Sequence, residues 1–479
     1  MMGKYGQRVL REKEQQSYLP CRLPRIKRMI GMNRENLKTI TLAILVCCSV
    51  FFTYNLWTFK PNYDFVQSSQ YLENEPISNE KKEPYHVIRP YQMFVQDHSN
   101  HYGTFQAKEI NSLWDELKRW DINEVKNVSN RYSSAKLNDW INGNSETKKI
   151  ELVFSDKIPF EIFQSLFQYK SQKTIYSSFD RIVMPIGKEN QQQKIMFVSY
   201  EQRLVYEATI SDVNAKNFVA SVIEKKENLD PYVSMNLLED KAMLLPEGNI
   251  QMDQTKYITD SIDGEDFKQA LFNNPSYVRR EMKPTQNIYT DGTSLLTIYP
   301  SQEKLRFVNP TIDPSMFIER GKAMKQSIEF LNNHGGWTDD YQFYNMDSDS
   351  QLVSFRLMVN LFPVFEDITN TFGPAEISMR WGNNEIATYL RPLFELDIPI
   401  GQNAVKMANG KEVIALLKQE KNLELKDVKR VFPAYEMSAT AEPRIVTLKP
   451  SWYVETESGH FSKLESRNET LGGNSDGLE

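Results

Sequence analysis

Apolar and polar positions divide this chain into one long uncharged block followed by many short alternating runs. No residue between Lys38 and Lys60 is charged, and Thr39 to Phe59 is an apolar run of 21 residues. As a helix it is roughly 31 Å long, the thickness of a hydrocarbon core. Lys and Arg crowd ahead of it (Arg22, Arg25, Lys27, Arg28, Arg34, Lys38), whereas Lys60 is followed by Asp64, Glu73, Glu75 and Glu80. That asymmetry predicts a cytoplasmic N-terminus and an extracytoplasmic remainder. A cleaved signal peptide would carry a shorter apolar region and small residues at its end. Here Thr53-Tyr-Asn-Leu-Trp-Thr-Phe-Lys-Pro61 follows instead, so the run is expected to stay as an anchor. Met32 is a candidate start, which would make residues 1–31 an extension of a basic N-terminus over 1–38.

Beyond the run the pattern shortens. Residues 60–85 are Pro-, Asn-, Ser- and Glu-rich and read as a stalk. His86–Val95 predicts a strand, and Ile110, Leu113, Trp114, Leu117 and Trp120 repeat at helical spacing. Ile150–Phe154 predicts a strand leading to a helix from Pro159 to Leu166. Arg181–Ile186, Lys194–Tyr200 and Leu204–Ile210 predict a meander, with Ser211/Asp212 capping a helix to Glu224. Residues 231–262 give no clear pattern. A short helix (Glu265–Phe272) precedes a hairpin series around Asp291-Gly292, a strong turn signal. Asp313-Pro314 predicts a helix to Asn333, stopped by His334-Gly335-Gly336. Hairpins over 341–359 and 376–390, an amphipathic helix over Lys411–Glu420, and the strand pair Val428–Met437 and Arg444–Val454 complete the pattern. The class is α+β: an N-terminal transmembrane helix, then a multidomain extracytoplasmic region of antiparallel sheets with packed helices. The expected divisions are 39–59 (span), 60–85 (stalk), 86–230, 231–312 and 313–454 (domains) and 455–479 (a disordered tail).

Charge narrows the partners. The chain carries −6 overall against +7 in residues 1–38, which leaves −13 for the rest. An acidic body repels phosphates, so nucleic acid is not expected as a partner. The cysteines are Cys21, Cys47 and Cys48, so nothing beyond the apolar run can form an internal disulfide. The Asn-x-Ser/Thr matches at Asn127 and Asn468 then read as chance.

Candidate chemistry is sparse. His98 and His101, three apart beside Asp97, have metal-ligand spacing but no recognisable third ligand, and read as a solvated loop. Asp347-Ser-Asp-Ser lacks the glycine and terminal Glu of a calcium loop, and Asp291-Gly-Thr-Ser has an aspartic-protease motif in the wrong order; both read as turns. No Gly-x-Ser-x-Gly, phosphate loop or His-Glu-x-x-His is present, and no catalytic, cofactor-binding or metal residue is assigned. Trp114, Trp120, Trp337, Trp381 and Trp452 read as core. Within the apolar run, Thr39, Ala43 and Cys47 are four apart and Val50 and Tyr54 continue their face. Small residues at that spacing let helices approach closely.

The order of Met32-Asn-Arg-Glu-Asn-Leu-Lys-Thr-Ile, Asn55-Leu-Trp-Thr-Phe-Lys-Pro-Asn-Tyr63, Val87-Ile-Arg-Pro-Tyr-Gln, Phe179-Asp-Arg-Ile-Val-Met-Pro, Phe267-Lys-Gln-Ala-Leu-Phe and Tyr289-Thr-Asp-Gly resembles the YycH (WalH) family from about Met32 to Val454. The resemblance implies a single-span, non-enzymatic regulator of the sensor histidine kinase WalK (YycG), which governs cell-wall homeostasis in Gram-positive bacteria. It also implies a companion, YycI (WalI), folded like 231–454. Transmembrane contacts are implied as a main interface, and the family has no catalytic residue to carry over. A second reading of the same residues is an anchored extracytoplasmic binding module for a wall, lipid or peptide ligand; a surface hydrolase is a third.

Overall fold

In the computed structural model, residues 34–58, 64–65, 78, 80–143, 147–169, 175–187, 192–238, 241–313, 317–347, 349–367, 373–382, 385–420 and 423–464 are described. Residues 1–31 with Cys21 and Met32, most of the stalk, Asn468 and the end of the tail lie outside them. Two compact units divide the chain, Met1–Asn62 and Tyr63–Glu479.

The first unit contributes one helix, α1 (Arg34–Thr58), over the expected apolar run. Side chains are described for 38–54 of it, and all are exposed. Among the described residues no helix is long and apolar enough to cross a membrane.

The second unit contains α2 (Pro84–Val87), α3 (Ala107–Leu117), α4 (Ser134–Asn142), α5 (Phe163–Leu166), α6 (Ala215–Glu224), α7 (Phe267–Leu271), α8 (Arg320–Asn333) and α9 (Gly410–Gln419). They pack on two main sheets. Among the described residues the first has nine strands, in spatial order Lys241–Pro246, Asp230–Leu238, Asn100–Thr104, Gln92–Asp97, Lys149–Pro159, Ser178–Pro185, Lys194–Ser199, Leu204–Thr209 and Lys126–Asn127. Ser178–Pro185, Lys194–Ser199 and Leu204–Thr209 are the expected meander. Ile150, Leu152 and Phe154 alternate with Lys149, Glu151 and Val153, and all six are buried. Both faces are therefore covered, a consequence of the strand's twofold side-chain period. One face takes Ile110, Leu113, Trp114 and Leu117 of α3 into a core that continues through the second sheet. The other meets Leu137 and Ile141 of α4.

The second sheet has fifteen strands among the described residues. Its meander Arg279–Lys283, Gln286–Thr290, Leu295–Tyr299 and Lys304–Val308 turns at Asp291-Gly292, where Gly292 has φ +94°. That left-handed conformation suits glycine. Phe362–Glu366 joins Val428–Ala439 in parallel, and Ile445–Thr456, Gln251–Ser261 and Phe394–Lys406 continue to the far edge. The tryptophans expected in the core are all buried. At α9, Asn409 and Glu412 form a capping box and Val413 and Leu417 turn inward.

Two expected elements begin elsewhere. His86–Val95 was expected as a strand, but Pro84 opens the short helix α2 and the strand starts only at Gln92. Proline at the first helical position presets the backbone for that turn. The helix expected from Asp313 starts at Arg320, because Ile318 is buried and its N–H donates to Gln351 Oε1 at 2.7 Å, which holds the entry extended. The unclear stretch 231–262 supplies three strands, and Phe461–Lys463 adds a short strand in the polar tail.

Candidate functional site

The residues singled out for a helix contact, Thr39, Ala43, Cys47, Val50 and Tyr54, all lie on α1 and are exposed. One turn every 3.6 residues puts the first three on one face. Ile40, Leu42, Ile44, Leu45, Val46, Phe51 and Phe52 are likewise exposed. Exposed apolar side chains at this density are costly in water at about 25 cal/mol per Å2.

The histidine pair, read as a solvated loop, is split between a turn and a buried strand position. His98 lies at the tip of the hairpin Gln92–Thr104 with φ +56°, and its Nδ1 contacts Asp97 Oδ1 at 2.7 Å. His101 is buried two strand positions inward. No group of metal-ligating side chains occurs among the described residues. Asp97 instead holds Lys226 and Lys148, the latter at 3.1 Å. The hydrogen bond from Lys226, with those from Lys148 and His98, lowers its pKa to about 2 against the opposing effect of burial. A lowered carboxylate stabilises the fold above its unfolded value, near 4, and that contribution fades as pH falls through about 2. Asp97→Asn is expected to cost about 1 kcal/mol at neutral pH after discounting solvent screening. In acid titrations of unfolding the two proteins should converge towards pH 2; a gap independent of pH would refute the ion-pair account.

The two acidic motifs are turns. Asp291 Oδ1 accepts from the backbone N–H groups of Thr293 and Ser294, both at 2.8 Å. Asp347 Oδ1 accepts from Asp349 N at 2.9 Å, and Ser350 Oγ donates to its Oδ2 at 2.6 Å.

Sequence reasoning missed a charged belt inside the first sheet. Lys149 and Glu151 are each 1% exposed. Arg181, on the neighbouring strand, ion-pairs with Glu151 and lies over the Tyr200 ring, 4.7 Å from its centroid. Lys149 Nζ donates to the carbonyls of Trp140 and Ile141 at the end of α4. Burial pushes the Lys149 ammonium down to about 8, with Glu151 opposing. The only hint in the sequence is a Lys and a Glu spaced by two in the otherwise apolar stretch Lys149–Phe154. Past this belt, a groove of about 960 Å3 opens beside His101.

A second missed arrangement is where the stalk reaches the body. Lys82 N–H donates to Asn332 Oδ1 at 2.8 Å, Asn332 Nδ2 returns a bond to Lys82 O at 2.9 Å, and Lys82 Nζ donates to Asp339 O at 3.1 Å. Three residues on, Tyr85 stacks on Trp114 at 4.6 Å with planes 4° apart. Residues 82–85 therefore tie α8, under the second sheet, to α3, under the first.

Two family profiles cover the chain: "YycH protein, N-terminal domain" over residues 35–227 and "YycH protein, C-terminal domain" over 240–465. The chain is 33% identical over 430 residues to a Bacillus subtilis (strain 168) protein described as the two-component system WalR/WalK regulatory protein YycH, covering 88% of this chain and 94% of that one. It is also similar to the crystal structure of YycH from Bacillus subtilis, with a TM-score of 0.72 at 29% identity, over 82% of this chain and all of that one.

Proposed function

The chain belongs to the YycH family, and from that membership we propose that it regulates a WalR/WalK-type two-component system by acting on the sensor kinase. The observation that carries this reading is the extent of the likeness, which takes in 94% of the Bacillus subtilis regulator. α1 spans the membrane in this reading, with residues 1–38 in the cytoplasm and the body outside. Support comes from the charge asymmetry around the run and from its exposed apolar side chains. The span touches the kinase helices, and the body engages a YycI-like companion. No chemical step is assigned. A regulator of this kind acts only by binding two kinase states with different free energies, and about 1–3 kcal/mol of difference changes the output severalfold.

The face Thr39, Ala43, Cys47, Val50 and Tyr54 is the proposed contact. Ala43→Leu with Cys47→Leu should keep the anchor but prevent close approach, and should weaken a bacterial two-hybrid signal with the kinase about fivefold or more. An unchanged signal removes this face from the proposal. For the function itself, deletion of the gene should alter kinase-dependent transcription, and the intact membrane protein should retain the kinase in mild detergent. Unaltered transcription would sink the regulator reading.

A further inference from the structure

The second sheet has one open face. In the strands Arg279–Lys283, Gln286–Thr290, Leu295–Tyr299 and Lys304–Val308, the side chains of Tyr289, Leu296, Ile298, Leu305 and Phe307 belong to the core. Phe272, just past α7, meets Phe307 on that inner side with ring centroids 5.8 Å apart. The strand's twofold period sends the alternate residues to the opposite side. There the register sets Glu281, Ile288, Thr297 and Arg306 in one row, and Arg279, Thr290, Leu295 and Val308 in the next. Thr297 is buried, whereas Arg279, Leu295 and Arg306 are exposed and Ile288, Tyr299 and Val308 are half-buried.

Charge sets this face apart. In the four strands its charged residues are Arg279, Lys283, Lys304 and Arg306 against the single acid Glu281, on a chain of net charge −6. Lys283 lies 3.5 Å from Glu281, and Lys304 lies over the Tyr299 ring, 5.3 Å from its centroid. Leu295 is 40% exposed beside these cations, and Tyr277 and Met282, at the edge of the sheet, are 69% and 68% exposed. A face both basic and apolar suits an anionic bilayer surface. Its cations meet lipid phosphates, and its aliphatic and aromatic groups enter the interfacial zone. Connectivity points the same way. Asp64 and Phe65 pair with Arg280 and Arg279, and Asp64 comes six residues after Thr58, the last residue of α1. The edge strand of this face is thus held by the piece of chain that leaves the anchor.

We propose that this sheet face docks on the anionic phospholipid headgroups of the membrane that holds the anchor, with Arg279, Lys283, Lys304 and Arg306 at the phosphates and Leu295 and Tyr299 at the interface. The contact rests on the reading of α1 as a membrane anchor. It makes the seating of the body depend on lipid charge, and it weakens as salt screens the phosphates.

The test is lysine acetylation of the full-length protein, read by mass spectrometry, in nanodiscs of phosphatidylcholine alone and in nanodiscs with about one third phosphatidylglycerol. Relative to Lys411, an exposed lysine of α9, Lys283 and Lys304 should react about threefold or more slowly in the anionic discs, and about 0.5 M salt should restore their rate. The variant Arg279→Glu/Arg306→Glu changes only exposed positions and should react equally in both discs. Equal rates for the unaltered protein, whether fast on an open face or slow beneath another part of the chain, overturn the proposal. Slowing that persists in the double variant also overturns it. A protein that enters neither disc fails as an anchor, and the contact fails with it; a protein that enters both without slowing loses the contact alone.

Discussion

Replacing Arg181 with methionine is expected to lower the stability of the folded chain by about 3–5 kcal/mol, because the change leaves a buried carboxylate without its counter-charge. Glu151 is 1% exposed and ion-pairs with Arg181 through Oε1. The same guanidinium contacts Asp180 at 3.5 Å and covers Tyr200, whose hydroxyl donates to Asn138 and accepts from Asn142 on α4. Loss of Arg181 thus strands Glu151 and loosens the seat of α4. Lys149 cannot fully substitute: its ammonium is already committed to the Trp140 and Ile141 carbonyls, and burial has brought its pKa near 8. The double variant Arg181→Met/Glu151→Leu should recover most of the loss, since apolar groups of similar volume often replace a buried ion pair at little cost. Urea unfolding followed by circular dichroism reads both. A single variant within about 1 kcal/mol of the parent, or a double variant no better than the single, would show that the pair does not hold this face.

The belt also shows what a sequence conveys and what it withholds. The meander over 178–209 was legible because alternation and turn residues act locally: two of its strands fall within a residue of where the pattern puts them, and the first begins three residues earlier, at Ser178. The Asp291-Gly292 turn was legible for the same reason, and so was α9 through its apolar stripe. Long-range demands were not legible. Gln251–Ser261 and Phe394–Lys406 are rich in polar residues, and they are strands because they pair with each other. Pairing satisfies their backbone groups whatever side chains they carry. The start of α8 depends on Gln351, 33 residues beyond Ile318. Likewise Lys149 and Glu151 read as surface charges until the second face of their sheet is seen to be covered. His101 read, with His98, as part of a solvated loop, whereas it is a buried strand residue. The hairpin instead sends one ring to the tip and the other to the groove, a separation that spacing alone does not reveal.

Trp114→Ala is expected to have the other large effect, a loss of about 3–5 kcal/mol, the range found for emptying an aromatic core site. The indole is 1% exposed and meets three rings: Tyr85 in a stack, and Phe154 and Phe167 edge-on with centroids at 5.5 Å. Its Nε1–H donates to Tyr85 O at 3.2 Å, and the Tyr85 hydroxyl donates back to the Trp114 carbonyl. Alanine removes the rings' shared partner and leaves the Tyr85 carbonyl without that donor. The consequence reaches past the core, because Tyr85 lies three residues from the Lys82–Asn332 clasp. With the indole gone, the segment 82–85 keeps its tie to α8 and holds α3 only through the Tyr85 hydroxyl bond to the residue-114 carbonyl and the exposed Glu83–Lys118 pair at 2.8 Å. Limited proteolysis of the full-length protein should then cut within the first residues of the body well before the core unfolds, because cleavage follows local opening. Trp114→Phe keeps a stacking ring and loses only the indole bond, so it should retain more than half of the stability and of the protection. If Trp114→Ala loses less than about 1 kcal/mol, or leaves the cleavage rate at this segment unchanged, the strap is held without the indole and the two sheets are not coupled through that ring.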